Sequence, residues 1–349
     1  MISYLAVLLG VSAQDPSFWM PLVLIGLLFG IIVAGAVLGG FDIGVGCLLP
    51  FAPAELRARM LSLLGPWRDA NEFWLFLGMG LFATAFPNAW GAVMGRLYLP
   101  LCLLALGVLL RSVSFELRLR SPLPMQALWI RGFALGSLMV AFAHGLLLGE
   151  LVVNYQTRSG YAWFSIFIGA CALAAYSLLG ACWLIMRESG ELRVRAVIWG
   201  RRAVRWTAAG TVGISVVLVF ANAGVFLKWT APGMWRVMAS LWGGMFLIFV
   251  ALEMRLQRMV NRSYRTTALP FVLVLLIFLI VLGGLAYSFF PFLVLDDMTI
   301  WDAAAPVSTL RLILSAAVVA LPVAIIFNGW VYWRMFGLSR PPAPPPFKP

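Results

Sequence analysis

"GPWRDANEFWL" (residues 65–75) crowds Arg68, Asp69, Asn71 and Glu72 into five positions, just before an apolar run that reads to about Met94. Charged groups are costly in hydrocarbon. The stretch therefore asks two things: whether the run is a membrane helix, and what such a cluster does at its mouth. Composition answers the first. The chain has 349 residues, 63% of them hydrophobic and 11% charged, with a mean hydropathy of +0.98. No soluble domain hides that much apolar surface, so the chain reads as an all-α polytopic membrane protein. The apolar runs are about twenty residues long and do not alternate, which excludes a transmembrane β-barrel. A net charge of +12 does not indicate nucleic acid, because the basic residues fall in short blocks between apolar runs, where they set topology.

Outward from the opening stretch, runs long enough to span occur near 18–50, 73–95, 97–117, 130–152, 161–186, 204–227, 234–252, 268–290 and 310–335. Nine helices are expected, arranged as two four-helix bundles plus one peripheral helix. Lys and Arg give the direction. With Arg111 set aside as intramembrane, 19 of the 25 fall in one set of alternating segments and 5 in the other. The positive-inside rule then puts the N-terminus outside and the C-terminus in the cytoplasm.

Residues 1–17 read as an uncleaved leader or interfacial segment, because the apolar core lacks a basic flank. Residues 18–337 form the membrane domain. The Pro-rich tail 338–349, with "PPAPPPFKP", reads as disordered. Cys47, Cys102, Cys171 and Cys182 lie in apolar runs without a C-x-x-C pair and read as buried thiols, not as metal ligands. Small residues at Gly26, Gly30, Gly35, Gly39, Gly40 and Gly44 suggest that the first helix packs closely against neighbours.

With the direction fixed, the polar groups can be placed in depth. Asp42 lies toward the inner end of the first helix, Asp69 and Glu72 start the second, and the third brings Arg111 and then Glu116 to the same side. Arg111 and Glu116 are five apart, about 140° around a helix, so each needs a partner elsewhere, with Asp42 and Asp69 the obvious ones. For Asp69 and Glu72 a capping box "DANE" is a sufficient structural explanation. It does not reach Asp42, Arg111 or Glu116, each of which costs about 2.5–3.5 kcal/mol to insert. Carboxylates with a buried base are what a proton path requires, and a structural ion-pair network is the alternative. His144, the only histidine, is expected in a helix–helix hydrogen bond, as are Asn222 and Asn328. One imidazole cannot supply a bis-histidine haem or a copper centre.

The segments "GGFDIGVGCLLPF", "GPWRDANEFWL", "LRSVSFELRLR", "MTIWDAA" and "YWRMFG" occur in this order, and together they resemble subunit II of the cytochrome bd-type quinol oxidases, with features of the cyanide-insensitive branch. The resemblance runs from about residue 20 to 337. It implies a heterodimer in the bacterial cytoplasmic membrane. The partner, subunit I, would oxidise quinol and carry two haems b and haem d, where oxygen becomes water. This chain would bind no haem or metal, stabilise subunit I and supply a cytoplasmic proton path. Room is left for a small single-helix accessory subunit, and for a structural quinone or lipid. Carried over by motif, the proton path is Asp42, Asp69 and Glu116 with Arg111. Arg68, Asn71, Glu72 and Trp74 are expected to support it, with His144 and Glu150 as further candidates, Glu150 standing where other members often have a neutral residue. The chain departs from the family at Gly39, where an acid is usual, and at Arg68 and Ala70 beside Asp69. The alternative from another class is a secondary transporter using these acids as a coupling site.

Overall fold

The computed structural model describes residues 10, 12–65, 67–155, 160–261 and 267–338. Most of the leader (1–17) and all but Leu338 of the tail (338–349) therefore lie outside the described residues. The chain enters at α1 (Pro16–Ala34), where Asp15 caps by accepting from the Ser17 N–H. A π-helical turn at Gly35–Gly39 comes next, then α2 (Gly40–Leu48) and a 3-10 turn at Leu49–Phe51. A short helix α3 (Ala54–Ser62) leads to α4 (Trp67–Ala85), α5 (Pro87–Arg120), α6 (Leu123–Val152), α7 (Ala162–Arg187) and α8 (Gly190–Ala221). The remainder is α9 (Ala223–Thr230), α10 (Met234–Asn261), α11 (Leu269–Phe289), a hairpin β1 (Phe292–Val294) and β2 (Met298–Thr299), α12 (Ile300–Ala303) and α13 (Val307–Leu338).

Eight of these stretches are long and apolar enough to cross a membrane among the described residues; the first runs through Pro16–Phe51 as one unit. The 19-residue α4 is not among the eight, and Arg68, Asp69 and Glu72 crowd its first turns. The boundary between the second and third helices falls at Phe86, not near Arg96 as the apolar runs suggested. Phe86 has φ −131° and ψ 59°, and Pro87 opens α5. Proline has no N–H to continue a ladder and pushes the residue before it out of the helical region, whereas a single arginine stops nothing. Likewise α8 begins at Gly190, well before the apolar run, and ends at Asn222.

Close packing centres on α2 rather than on the whole glycine series. A Cβ added at Gly26 or Gly30 meets nothing within 4 Å, whereas one at Gly44 would collide with the Tyr176 carbonyl of α7, and one at Gly180 with the Gly44 backbone. The two backbones thus touch, and Phe41 stacks on Trp183 beside them with ring centroids 4.2 Å apart. Glycine is required there because dispersion contacts between backbones replace the hydrophobic effect in lipid. Cys47, Cys171 and Cys182 are buried as expected, but Cys102 is exposed on the outer face of α5.

At the far end of α1, the segment after α11 folds back as a cap. In the antiparallel hairpin Phe292 faces Thr299 and Val294 faces Met298. Thr299 and Asp302 form a reciprocal capping box for α12. Trp301 stacks on Phe18 at 5.3 Å and donates its Nε1–H to the Phe18 carbonyl at 3.0 Å. Asn222 donates to the Val152 carbonyl at 2.8 Å, the interhelical contact expected of it. Asn328 instead donates within its own helix, to Ala324.

Candidate functional site

The π-turn ends three residues before Asp42. Gly35 lies against the Trp74 Cβ and Gly39 near the Asn71 carbonyl, so this turn of the first helix rests on the first half of α4. A π-turn carries an extra residue per turn and so rotates every side chain beyond it to a new direction. Here it delivers Asp42, fully buried, to Asn71, whose Nδ2 donates to Asp42 Oδ2 at 2.8 Å. Asp42 Oδ1 has no hydrogen-bond partner among the described residues.

One residue beyond Asn71 on α4, Glu72 is the hub. Its Oε1 accepts from Arg111 Nη1 at 3.0 Å and from Arg68 Nη1 at 3.1 Å, while Oε2 accepts from Ser112 Oγ at 2.9 Å. The Arg111 side chain is only 2% exposed, so its charge is fully withdrawn from solvent and needs that carboxylate. Both guanidinium groups also rest on aromatic faces, Arg68 on Phe115 at 4.4 Å and Arg111 on Phe133 at 5.3 Å. Arg111 Nε and Nη2 have no hydrogen-bond partner among the described residues.

The structure therefore brings together Asp42, Arg68, Asn71, Glu72 and Arg111, with Trp74 buried against the π-turn. The side chain of Asp69 lies outside the described residues. Three expectations are corrected. Arg111 pairs with Glu72 and not with Asp42. Glu72 does not reach back in a capping box, because α4 already begins at Trp67 and the Glu72 carboxylate faces α5. Glu116 does not join the cluster: it is 52% exposed and pairs with Arg120 at 3.7 Å on the outer face of α5. Its angular offset from Arg111 turns it away.

The two further candidates also lie elsewhere. His144 Nδ1 is 3.1 Å from Tyr176 Oη, an α6–α7 hydrogen bond. Glu150 sits at the other end of α6, fourteen residues or about 21 Å beyond the Gly136 that abuts Arg111. At that end, Arg96 pairs with Asp297 at 3.0 Å and covers the Tyr155 ring at 5.2 Å, fastening the hairpin to α5. Burial pushes the Tyr155 phenol up to about 12, so it stays neutral. Sequence reasoning missed Ser112, Phe115 and Phe133. The first stands next to Arg111, but nothing in a sequence says which arginine-adjacent serine turns toward a carboxylate.

Chemically, the cluster can bind, release and orient protons. With one histidine, already engaged by Tyr176, the donor set does not fit a bis-histidine haem. No group of three metal-ligating side chains occurs among the described residues.

Residues 20–335 match the profile of the family described as cytochrome bd terminal oxidase subunit II. The chain belongs to that family. It is 26% identical to the cytochrome bd-I ubiquinol oxidase subunit 2 of Escherichia coli K12, over 89% of this chain and 93% of that one. It is 27% identical to a probable cytochrome oxidase subunit 2 of Haemophilus influenzae, over 88% and 92%. Among solved structures, the bd oxidase of Geobacillus thermodenitrificans matches with a TM-score of 0.71 at 14% identity, over 92% of this chain and 99% of that one. That likeness shows the fold. The family and the eight apolar helices make this a multi-pass protein of the bacterial inner membrane and a subunit of an oxidoreductase complex. The secondary-transporter reading gains no support from these comparisons.

Proposed function

We propose that this chain is the subunit of a bd-type quinol oxidase that braces a haem-bearing subunit I and carries protons to it from the cytoplasm. Ubiquinol is what the Escherichia coli relative is named for. In this reading α4 is a ninth span, the N-terminus is outside and the C-terminus cytoplasmic, in keeping with the basic loops. The helices form two four-helix bundles with one peripheral helix. Two haems b and haem d belong to the partner and supply the electron transfer and oxygen chemistry. A single-helix accessory subunit would dock on the remaining lipid-facing surface.

Glu116, exposed near the inner end of α5, takes up the proton, Asp69 and Asp42 pass it on, and Arg111 fixes the local charge. The observation that carries the reading is Asp42: a buried carboxyl with one amide donor and one open oxygen, beside a buried arginine whose charge another residue holds. A group arranged this way can change charge without breaking the network around it. A cavity of about 110 Å³ between α8, α10 and α11, lined by Thr211, Ser215, Trp229 and Leu285, has room for part of a lipid or quinone tail.

The test is turnover per haem in complexes carrying Asp42→Asn or Glu116→Gln. Oxygen reduction slowed by about tenfold or more, with the partner's haems retained, supports the path. Full turnover in both removes it.

A further inference from the structure

The two carboxylates of the cluster, Asp42 fully buried and Glu72 partly so, are held in opposite ways. Three donors grip Glu72: Arg68 and Arg111 on one oxygen, Ser112 on the other. Asp42 accepts a single hydrogen bond from Asn71, and its second oxygen has no partner among the described residues. Both arginines also rest on aromatic faces, Arg68 on Phe115 and Arg111 on Phe133. We propose that Glu72 is a fixed counter-ion, a positioning residue that holds Arg68 and Arg111 and so sets how readily Asp42 takes a proton. The inference rests on the proton-path reading and adds a division of labour to it: one carboxylate stays charged, the other exchanges.

Charge balance around Asp42 supports this division. Among the described side chains, the charged groups facing Asp42 are Arg68 and Glu72 from α4 and Arg111 from α5. On α6 and α7, His144 and Tyr176 can titrate and bond each other, and α2 itself adds the buried Cys47. Two cations and one anion therefore surround Asp42, apart from Asp69. Without the Glu72 charge, the surroundings of Asp42 become more positive by one charge, and nearby positive charge favours a carboxylate over a carboxylic acid. Asp42 then binds its proton only at lower pH. The position of Glu72 supports this role geometrically, because its carboxylate spans both arginines at once while Asp42 is held by Asn71.

The experiment is the pH profile of oxygen reduction by the purified oxidase complex, per haem, for wild type, Glu72→Gln, Arg68→Gln/Glu72→Gln and Asp42→Asn. The proposal expects Glu72→Gln to move the alkaline limb to lower pH by about one unit or more. It expects the double variant, which removes one cation with the anion, to return the limb toward wild type. An assembled Glu72→Gln complex with the wild-type profile overturns it, since a merely structural residue changes yield and not the limb. Should Glu72→Gln give no complex, the double variant decides. Assembly with a near-wild-type limb supports the counter-ion role, and failure to assemble or a limb still displaced overturns it. Asp42→Asn separates the two levels: full turnover there removes the proton path itself, whatever Glu72 does.

Discussion

Asn71 and Asp42 meet at 2.8 Å between the first two long helices, and neither side chain reaches solvent. The contact ties α4 to α2 and gives the buried carboxyl its one hydrogen bond among the described residues. Both roles come from the same amide, so its loss should be felt in assembly and in chemistry.

Replacing Asn71 with Leu keeps the volume and removes the donor. A buried polar atom left without its partner costs about 1–3 kcal/mol. The melting temperature of the complex, tracked by haem absorbance, should fall for Asn71→Leu. An unchanged transition would mean that Asp42 finds another donor.

The contact of α2 with α7 makes a second prediction. Gly44→Ala places a methyl group against the Tyr176 carbonyl, where only backbone can yield, whereas Gly30→Ala adds one in open space. Size-exclusion chromatography of detergent extracts should show little or no assembled complex for the first and wild-type yield for the second. Equal yields would contradict the close approach.

Glu116 and Arg120 form an exposed pair, and such pairs contribute little to stability. Glu116→Gln should therefore leave yield and melting temperature unchanged while slowing turnover. A loss of assembly with normal turnover per haem would reverse its role from proton carrier to structural contact.

The cap after α11 depends on Trp301 and on the Thr299–Asp302 box. Trp301→Ala removes both the stack on Phe18 and the hydrogen bond to its carbonyl. Hydrogen exchange of residues 290–306 should quicken, with protection around Asn71 unchanged. Spread of the effect to α4 would show that the two ends of the bundle are coupled.

Much of this was legible in the sequence, for identifiable reasons. Asp42, Glu72 and Arg111 could be brought together because the apolar runs place all three toward the same end of neighbouring helices. The resemblance to subunit II came from ordered motifs, and the family match agrees with it. The features that stayed hidden depend on rotation and on local backbone. Glu72 looked like a cap because capping is read from spacing alone, yet the helix begins earlier and turns the carboxylate toward α5. Glu116 faces outward because five residues is the wrong offset from Arg111. The π-turn at Gly35–Gly39 has no periodic signature, and it is the feature that aims Asp42. The break at Phe86 was written in Pro87, but Arg96 was the more conspicuous residue.

The most direct test of the central claim is proton uptake itself. The oxidase would be reconstituted in liposomes with a pH-sensitive dye on the side of the basic loops, and uptake recorded after mixing the reduced enzyme with oxygen. In the Asp42→Asn complex the account predicts uptake delayed in step with oxygen reduction, by about tenfold or more, with haem content intact. Uptake at the wild-type rate from that side would contradict it and leave the Asp42 cluster as a structural ion network.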